Sequence, residues 1–302
     1  YPNHGTYWAV LTITDINGCS SSDSVNVTIY ENPSALVTTN NACFGDSTLF
    51  DVIYNQGDSI IGEYNWDFGN NTNQQIDDNI FYHTFDNCGD TNWVELELIS
   101  TTIDDNNVAC QWDTLVPVFV NCNPDAEISS QDQCFDDQPI NFLNQSTNGT
   151  GNIDSWSWDI LYGNYVNGTT SQDSINVDFI FDTCGVKIAT LTVTDEFGCS
   201  NTDTDTVDVY CQPIAAFGFQ NVCLDSTIYF TDQSTYVAAS QNWLWDFGDG
   251  ITSIQENPNH TYTYCDTFTV SLTVTDSLGC QDTWDTLVVV HCPPEITVFN
   301  TN

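Results

Sequence analysis

The 302-residue chain contains no methionine and a single basic residue, Lys187, against 42 acidic ones, for a formal charge of −41. Phosphate backbones and anionic lipid surfaces are gripped by Lys and Arg, so nucleic acid and charged membranes are excluded as partners. Long apolar runs are missing too. Segments such as Leu287–Val290 fall far short of the about 20 residues that span a bilayer, which excludes membrane insertion. With no Met and no charged-then-apolar leader, the sequence is expected to be an interior piece of a longer exported protein. Zinc-site spacing is also lacking: the 13 cysteines include no C-x-x-C pair and the 4 histidines are scattered. Cysteines without metal spacing read as disulfides formed in an oxidising compartment, hence as an extracellular chain. The charge itself has two readings. It disperses and solubilises the chain, or divalent cations screen part of it.

Repetition fills the space these absences leave. Trp66-Asp67-Phe68-Gly69-Asn70, Trp158-Asp159-Ile160 and Trp245-Asp246-Phe247-Gly248-Asp249-Gly250 are three copies of one motif. Each Trp follows an aromatic by two residues (Tyr64, Trp156, Trp243), which puts both rings on one face of a strand. Trp66, Trp158 and Trp245 are therefore core candidates. Downstream, Phe268, Val270, Leu272 and Val274 alternate with Ser and Thr, as do Ala189, Leu191 and Val193, and Tyr7, Ala9, Leu11 and Ile13. Such alternation marks half-buried antiparallel strands, and no 3.6-residue apolar period occurs, so the fold class is all-β. Pro33, Pro124, Pro213 and Pro294 open successive copies at spacings of 91, 89 and 81 residues with no flexible linker between them. The expected organisation is the tail of a repeat over 1–32, repeats over 33–123, 124–212 and 213–293, and the first strand of a further repeat over 294–302.

At these residues the sequence resembles the polycystic kidney disease (PKD) domain family, an immunoglobulin-like antiparallel β-sandwich. Its pattern is matched most closely in the last full repeat, by Trp245–Gly250, Asn257-Pro258-Asn259-His260-Thr261-Tyr262 and Phe268–Asp276. The middle repeats depart from it. Asn70 replaces the second Asp and Ile160-Leu161-Tyr162 replaces Phe-Gly-Asp, so their turns should differ. The Gly-Cys endings, with a second cysteine near each repeat start, resemble arrays in giant cell-surface adhesins of gliding, Bacteroidota-type bacteria exported by type 9 secretion. The resemblance implies tandem sandwiches end to end, with neighbouring repeats of the same chain as partners. Any surface glycan or protein ligand would lie outside this segment.

Catalysis finds little support. Carboxylate pairs suited to a glycosidase arise by chance among so many acids, and none sits in a unique segment. His83 and His260 share one repeat position, where the third copy carries Phe179, so they read as packing residues and leave no triad histidine. No enzyme and no obligatory cofactor are expected. Calcium enters as a ligand of turn or junction acids, with Asp246, Asp249, Asp125 and Glu295 as candidates. Trp8, Trp93, Trp112 and Trp284 are not assigned to a core and leave open a carbohydrate-binding alternative. Asp-Ser/Thr steps place Ser24, Ser47, Ser59, Thr114, Ser174, Thr206, Ser226 and Thr286 in a setting similar to the O-glycosylation signal of Bacteroidota-type exported proteins. Ordinary strand-entry chemistry explains them equally well.

The first hairpin has His4 and Glu31 where later repeats have their second and fourth cysteines. This joint absence, with hairpin geometry, implies the intradomain bonds Cys88–Cys122, Cys184–Cys211 and Cys265–Cys292. In the immunoglobulin-like order that the resemblance implies, the first and third cysteines of a repeat lie at opposite ends, roughly 30 Å apart by strand rise. A disulfide tolerates only about 7 Å between α-carbons. Bonds across the junctions, Cys43–Cys199 and Cys134–Cys280, are therefore favoured over the set Cys43–Cys110, Cys134–Cys199 and Cys223–Cys280, which stays open. Lys187 aligns with Tyr7 and Phe268, and its stem is expected to be part-buried with the ammonium reaching solvent. The function these features imply is a rod-like stalk segment of an adhesin.

Overall fold

A computed structural model describes residues 1–294 except 59, 70–72, 104–107, 137, 172–173 and 236–240. Ser59, Asn70, Asp173, Glu295 and the strand expected after Pro294 thus lie outside the described residues. Among the described residues, every regular element is a β-strand.

Strands β1 (Gly5–Thr14) and β2 (Ser20–Ile29) form an antiparallel hairpin from Gly5↔Ile29 to Thr14↔Ser20. Its turn is built by Asp15, whose Oδ1 accepts the N–H groups of Asn17 and Cys19. The same turn recurs at Asp195–Cys199 and Asp276–Cys280, each with a carboxylate holding two backbone N–H groups.

The next sandwich uses eight strands: β3 (Ser34–Thr39), β4 (Ala42–Cys43), β5 (Thr48–Asn55), β6 (Ile61–Asp67), β7 (Asn73–Gln75), β8 (Ile80–His83), β9 (Thr91–Ile103) and β10 (Ala109–Asn121). They make two sheets, β3-β5-β8 and β4-β10-β9-β6-β7. Inward residues of both meet in one core around Phe50, Trp66, Leu96 and Val118. The following sandwich comprises β11 (Ile128–Ser129), β12 (Gln133–Cys134), β13 (Ile140–Asn144), β14 (Ile153–Ile160), β15 (Gly163–Val166), β16 (Val177–Phe181), β17 (Gly185–Asp195) and β18 (Ser200–Tyr210). Its sheets are β11-β13-β16-β15 and β12-β18-β17-β14. The last comprises β19 (Phe217–Gly218), β20 (Val222–Cys223), β21 (Ile228–Tyr229), β22 (Thr231–Asp232), β23 (Gln241–Asp246), β24 (Thr252–Ser253), β25 (Asn259–His260), β26 (Thr267–Asp276) and β27 (Gln281–His291). Its larger sheet, β20-β27-β26-β23-β24, repeats the order of the first five-stranded one.

The copies differ after the Trp strand. There β7 and β24 fold back onto β6 and β23, whereas β15 crosses to pair with β16 of the opposite sheet. The hairpins turn through glycine at positive φ, Gly69 (93°) and Gly248 (79°). The third copy has no glycine there, and Tyr162 itself takes φ 66° as the chain leaves the sheet. In the larger sheet the second copy therefore keeps the pairing of the last, whereas the third inserts β15 before Ser171 returns to accept the Trp158 backbone N–H at 2.7 Å.

By contacts the chain divides into two units. The first holds Tyr1–Asp125 with Thr147–Asp154 and Val193–Asn201. The second holds Ala126–Ser146, Ser155–Thr192 and the chain from Thr202 onward.

Candidate functional site

The motif tryptophans are the keystones of their sandwiches. Trp66 and Trp245 are fully buried and Trp158 is 2% exposed. Each indole N–H is satisfied by a backbone carbonyl beyond its strand: Ile76, Ser174 and Gln255. The phenylalanine two residues on lies under a histidine. Phe68 stacks on His83 at 3.8 Å and Phe247 on His260 at 4.3 Å between ring centroids. Register confirms the equivalence of the histidines with Phe179, since Thr48↔His83, Ile140↔Phe179 and Ile228↔His260 are cross-strand partners. Burial lowers the His83 pKa, with Asp86 opposing. His260 Nε2 lies 2.7 Å from Asp249 Oδ2, while Tyr262, edge-on to the same ring, donates its hydroxyl to the Phe247 carbonyl. Burial, then Asp249 and Asp246, raise the Tyr262 pKa. Both are packing clusters, and the His83 face also lines an open cleft with Gly69, Asp86 and Trp93.

Five disulfides are present. Cys88–Cys122, Cys184–Cys211 and Cys265–Cys292 close the open ends of the β9–β10, β17–β18 and β26–β27 hairpins, with Cα–Cα distances of 5.0, 5.0 and 5.2 Å. Cys43–Cys199 and Cys134–Cys280 join residues 156 and 146 positions apart, at Cα–Cα distances of 5.4 and 5.5 Å. In each of these, a cysteine on a two-residue strand meets the cysteine that ends an Asp-x-x-Gly-Cys turn. The short strands β4, β12 and β20 run parallel to the ends of β10, β18 and β27, which holds the first cysteine at the sandwich end. Cys19, Cys110 and Cys223 are free thiols.

The other sequence candidates are dispersed. Asp249 uses both carboxylate oxygens inside its repeat, on His260 and on the Ile251 N–H, and Asp246 accepts the Gly248 N–H. Asp125 sits in a backbone bridge with Thr147. Among the described residues, the group of three metal-ligating side chains that converges is His4, Glu31 and Asp58. Ser24, Ser47, Thr206 and Ser226 are exposed, and Thr114, Ser174 and Thr286 are half-buried. Trp112 packs against the second core, while Trp8 and Trp93 are exposed. Aligning Leu96 with Leu272 through their partners Trp66 and Trp245 puts Trp93 level with Thr269. By the shared alternation Trp8 and Ile188 stand there too, so the exposed ring occupies one register in two of four copies. Trp284 packs edge-on against Phe217 at 4.7 Å. Lys187 corrects the expectation of a solvated ammonium. It is 7% exposed, its Nζ donates to Thr183 Oγ1 at 2.8 Å, and the rings of Tyr162 and Phe181 each lie 5.7 Å away. Cation–π contact compensates where a phenylalanine packs in the next copy.

The model of the PKD domain matches residues 121–209 and 210–290, more than half of the chain. Collagenase ColA of Bacillus cereus is 46% identical over 54 residues, which is 18% of this chain and 6% of that protein. The pre-pro-metalloprotease PrtV of Vibrio cholerae is 38% identical over 61 residues, or 20% of this chain and 7% of that one. The chain thus spans less than a tenth of these relatives. Among solved structures, the PKD1 domain of Vibrio anguillarum Epp is 31% identical, covering 27% of this chain and 96% of that domain, with a TM-score of 0.26.

Proposed function

The chain belongs to the PKD domain family, and from that premise we propose that it is a stalk segment of a secreted cell-surface adhesin, projecting a binding region that lies elsewhere in the protein. PKD domains are non-catalytic accessory modules, and five disulfides put this array in an oxidising, extracytoplasmic compartment. The observation that carries the stalk reading is the pair of bonds Cys43–Cys199 and Cys134–Cys280. Taken with repeats over 33–123, 124–212 and 213–293, each bond ties one repeat to the next. A chain that only needed three stable sandwiches would close its disulfides within them; bonds between them restrain each junction. Attachment to the cell surface and type 9 export rest on the likeness of the Gly-Cys endings to gliding-bacterium adhesins. Small-angle scattering of the oxidised chain tests the reading: a maximum dimension beyond roughly 110 Å is expected from end-to-end strand lengths, and that of a compact globule overturns it.

The exposed tryptophans at one register favour a second reading, a glycan-binding face. Retention on a polysaccharide matrix that Trp8→Ala and Trp93→Ala together abolish would establish it, and equal elution of both proteins would remove it.

A further inference from the structure

The first hairpin lacks the disulfide that closes the others, yet its open end is not featureless. In the last repeat, Cys265 stands two residues before Thr267 and Cys292 three residues after Val289, and Thr267↔Val289 are ladder partners. In the first hairpin Thr6↔Thr28 are partners, with His4 two before and Glu31 three after. His4 and Glu31 therefore occupy the two cross-link positions. A third position follows from the loop of the next sandwich. Gly149 approaches the carbonyl of Cys122 so closely that a Cβ there would clash, and Thr150 Oγ1 accepts the Cys122 N–H at 2.7 Å. Gly57 approaches the carbonyl of Glu31 in the same way, and Asp58 Oδ2 accepts the Glu31 N–H at 2.7 Å. Where the second copy has Cys88, Cys122 and Thr150, the first has His4, Glu31 and Asp58, so all three change together to metal-ligating residues.

We propose that His4, Glu31 and Asp58 bind a divalent transition-metal ion of the Zn2+ type, which clasps the first hairpin where the later ones carry a disulfide. The imidazole Nδ1 of His4 lies 3.7 Å from Asp58 Oδ2, and one ligand atom from each of the three residues falls within 4.8 Å of the others. A tetrahedral Zn2+ holds nitrogen and oxygen at about 2.0–2.2 Å, so its donors stand about 3.5 Å apart. His4 and Asp58 are exposed and Glu31 is half-exposed, and rotation of these side chains closes the difference. An imidazole with two carboxylates suits zinc-like ions, whereas calcium takes oxygen only. Unlike a disulfide, this clasp closes only while metal is supplied.

The test is calorimetric titration of Zn2+ into the oxidised 302-residue chain at neutral pH, with excess Ca2+ present to occupy the surface carboxylates. One Zn2+ per chain is expected, with binding weakened about tenfold or more by each of His4→Ala, Glu31→Gln and Asp58→Asn, and by His260→Ala not at all. Equal binding by wild type and the three variants overturns the proposal. So does loss in His4→Ala alone, since that marks chelation by His4 and the chain's amino terminus. Circular dichroism checks that the variants fold. As an independent arm, His4→Cys combined with Glu31→Cys should form a 4–31 disulfide in a non-reducing peptide map; two free thiols there would refute the positional equivalence.

Discussion

A histidine stacked on phenylalanine behaves differently from one in water, and His83 makes the difference measurable. Burial holds its pKa below the ordinary value, so between the folded value and about 6.5 the unfolded chain binds the extra proton. Its contribution to stability is fully present above about 6.5 and is lost as the pH falls through that window. In His83→Phe, which copies Phe179, this dependence disappears. The melting-temperature difference between variant and wild type should shift in favour of the variant on acidification, and a difference constant across that range would refute the assignment. Lys187 gives a second residue-scale prediction. It is the one tryptic site in the sequence and is buried, so the native chain should survive trypsin while reduced, denatured chain yields two pieces. More than two would contradict the reading. The packing role of His83 and His260 was legible because Phe179 shares their position. The buried ammonium was not, because a sequence does not tell which rings a lysine stem will find.

Elements carry the next lesson. Period-2 alternation and the Trp-Asp pairs identified the strands around the core directly, since apolar residues two apart share a face. The crossing of β15 to the opposite sheet escaped the pattern, although the replaced Phe-Gly-Asp marked the place. Pairing of a short strand depends on where the preceding turn reaches positive φ, three residues after the Trp at Gly69 and Gly248 but four after it at Tyr162, a backbone property that alternation does not encode. Gly248 and Gly250 separate the two demands on such a turn. Both have positive φ, but a Cβ on Gly248 would come 2.5 Å from the Thr269 carbonyl oxygen, whereas Gly250 faces open space. Gly250→Ala should therefore cost only the conformational strain of about 1–2 kcal/mol, and Gly248→Ala distinctly more. Urea denaturation of the two variants decides it, equal midpoints being the contrary outcome. The His4, Glu31 and Asp58 cluster shows the same boundary of legibility. His4 and Glu31 were visible in the sequence as missing cysteines, but Asp58 arrives from a loop of the next sandwich.

At the scale of the molecule, the disulfides set the rules. Mapping without reduction should recover Cys134 linked to Cys280 and Cys43 linked to Cys199. Recovery of Cys134 with Cys199 would contradict the structure. Replacing Cys134 and Cys280 together by serine removes a constraint on a long loop and should lower stability by roughly 3–5 kcal/mol in the chain-entropy account, read as a fall in denaturation midpoint. The two long-range bonds have one further consequence. Cys43–Cys199 and Cys134–Cys280 enclose overlapping stretches of chain, both containing residues 134–199. Two fused covalent rings that share a stretch of chain cannot be drawn out like a string. In single-molecule stretching, the oxidised chain should give up only part of its contour length when its sandwiches yield. The reduced chain should release the whole at about 3.4 Å per residue. Extensibility is thereby handed to the redox state of the disulfides, the two long-range bonds above all.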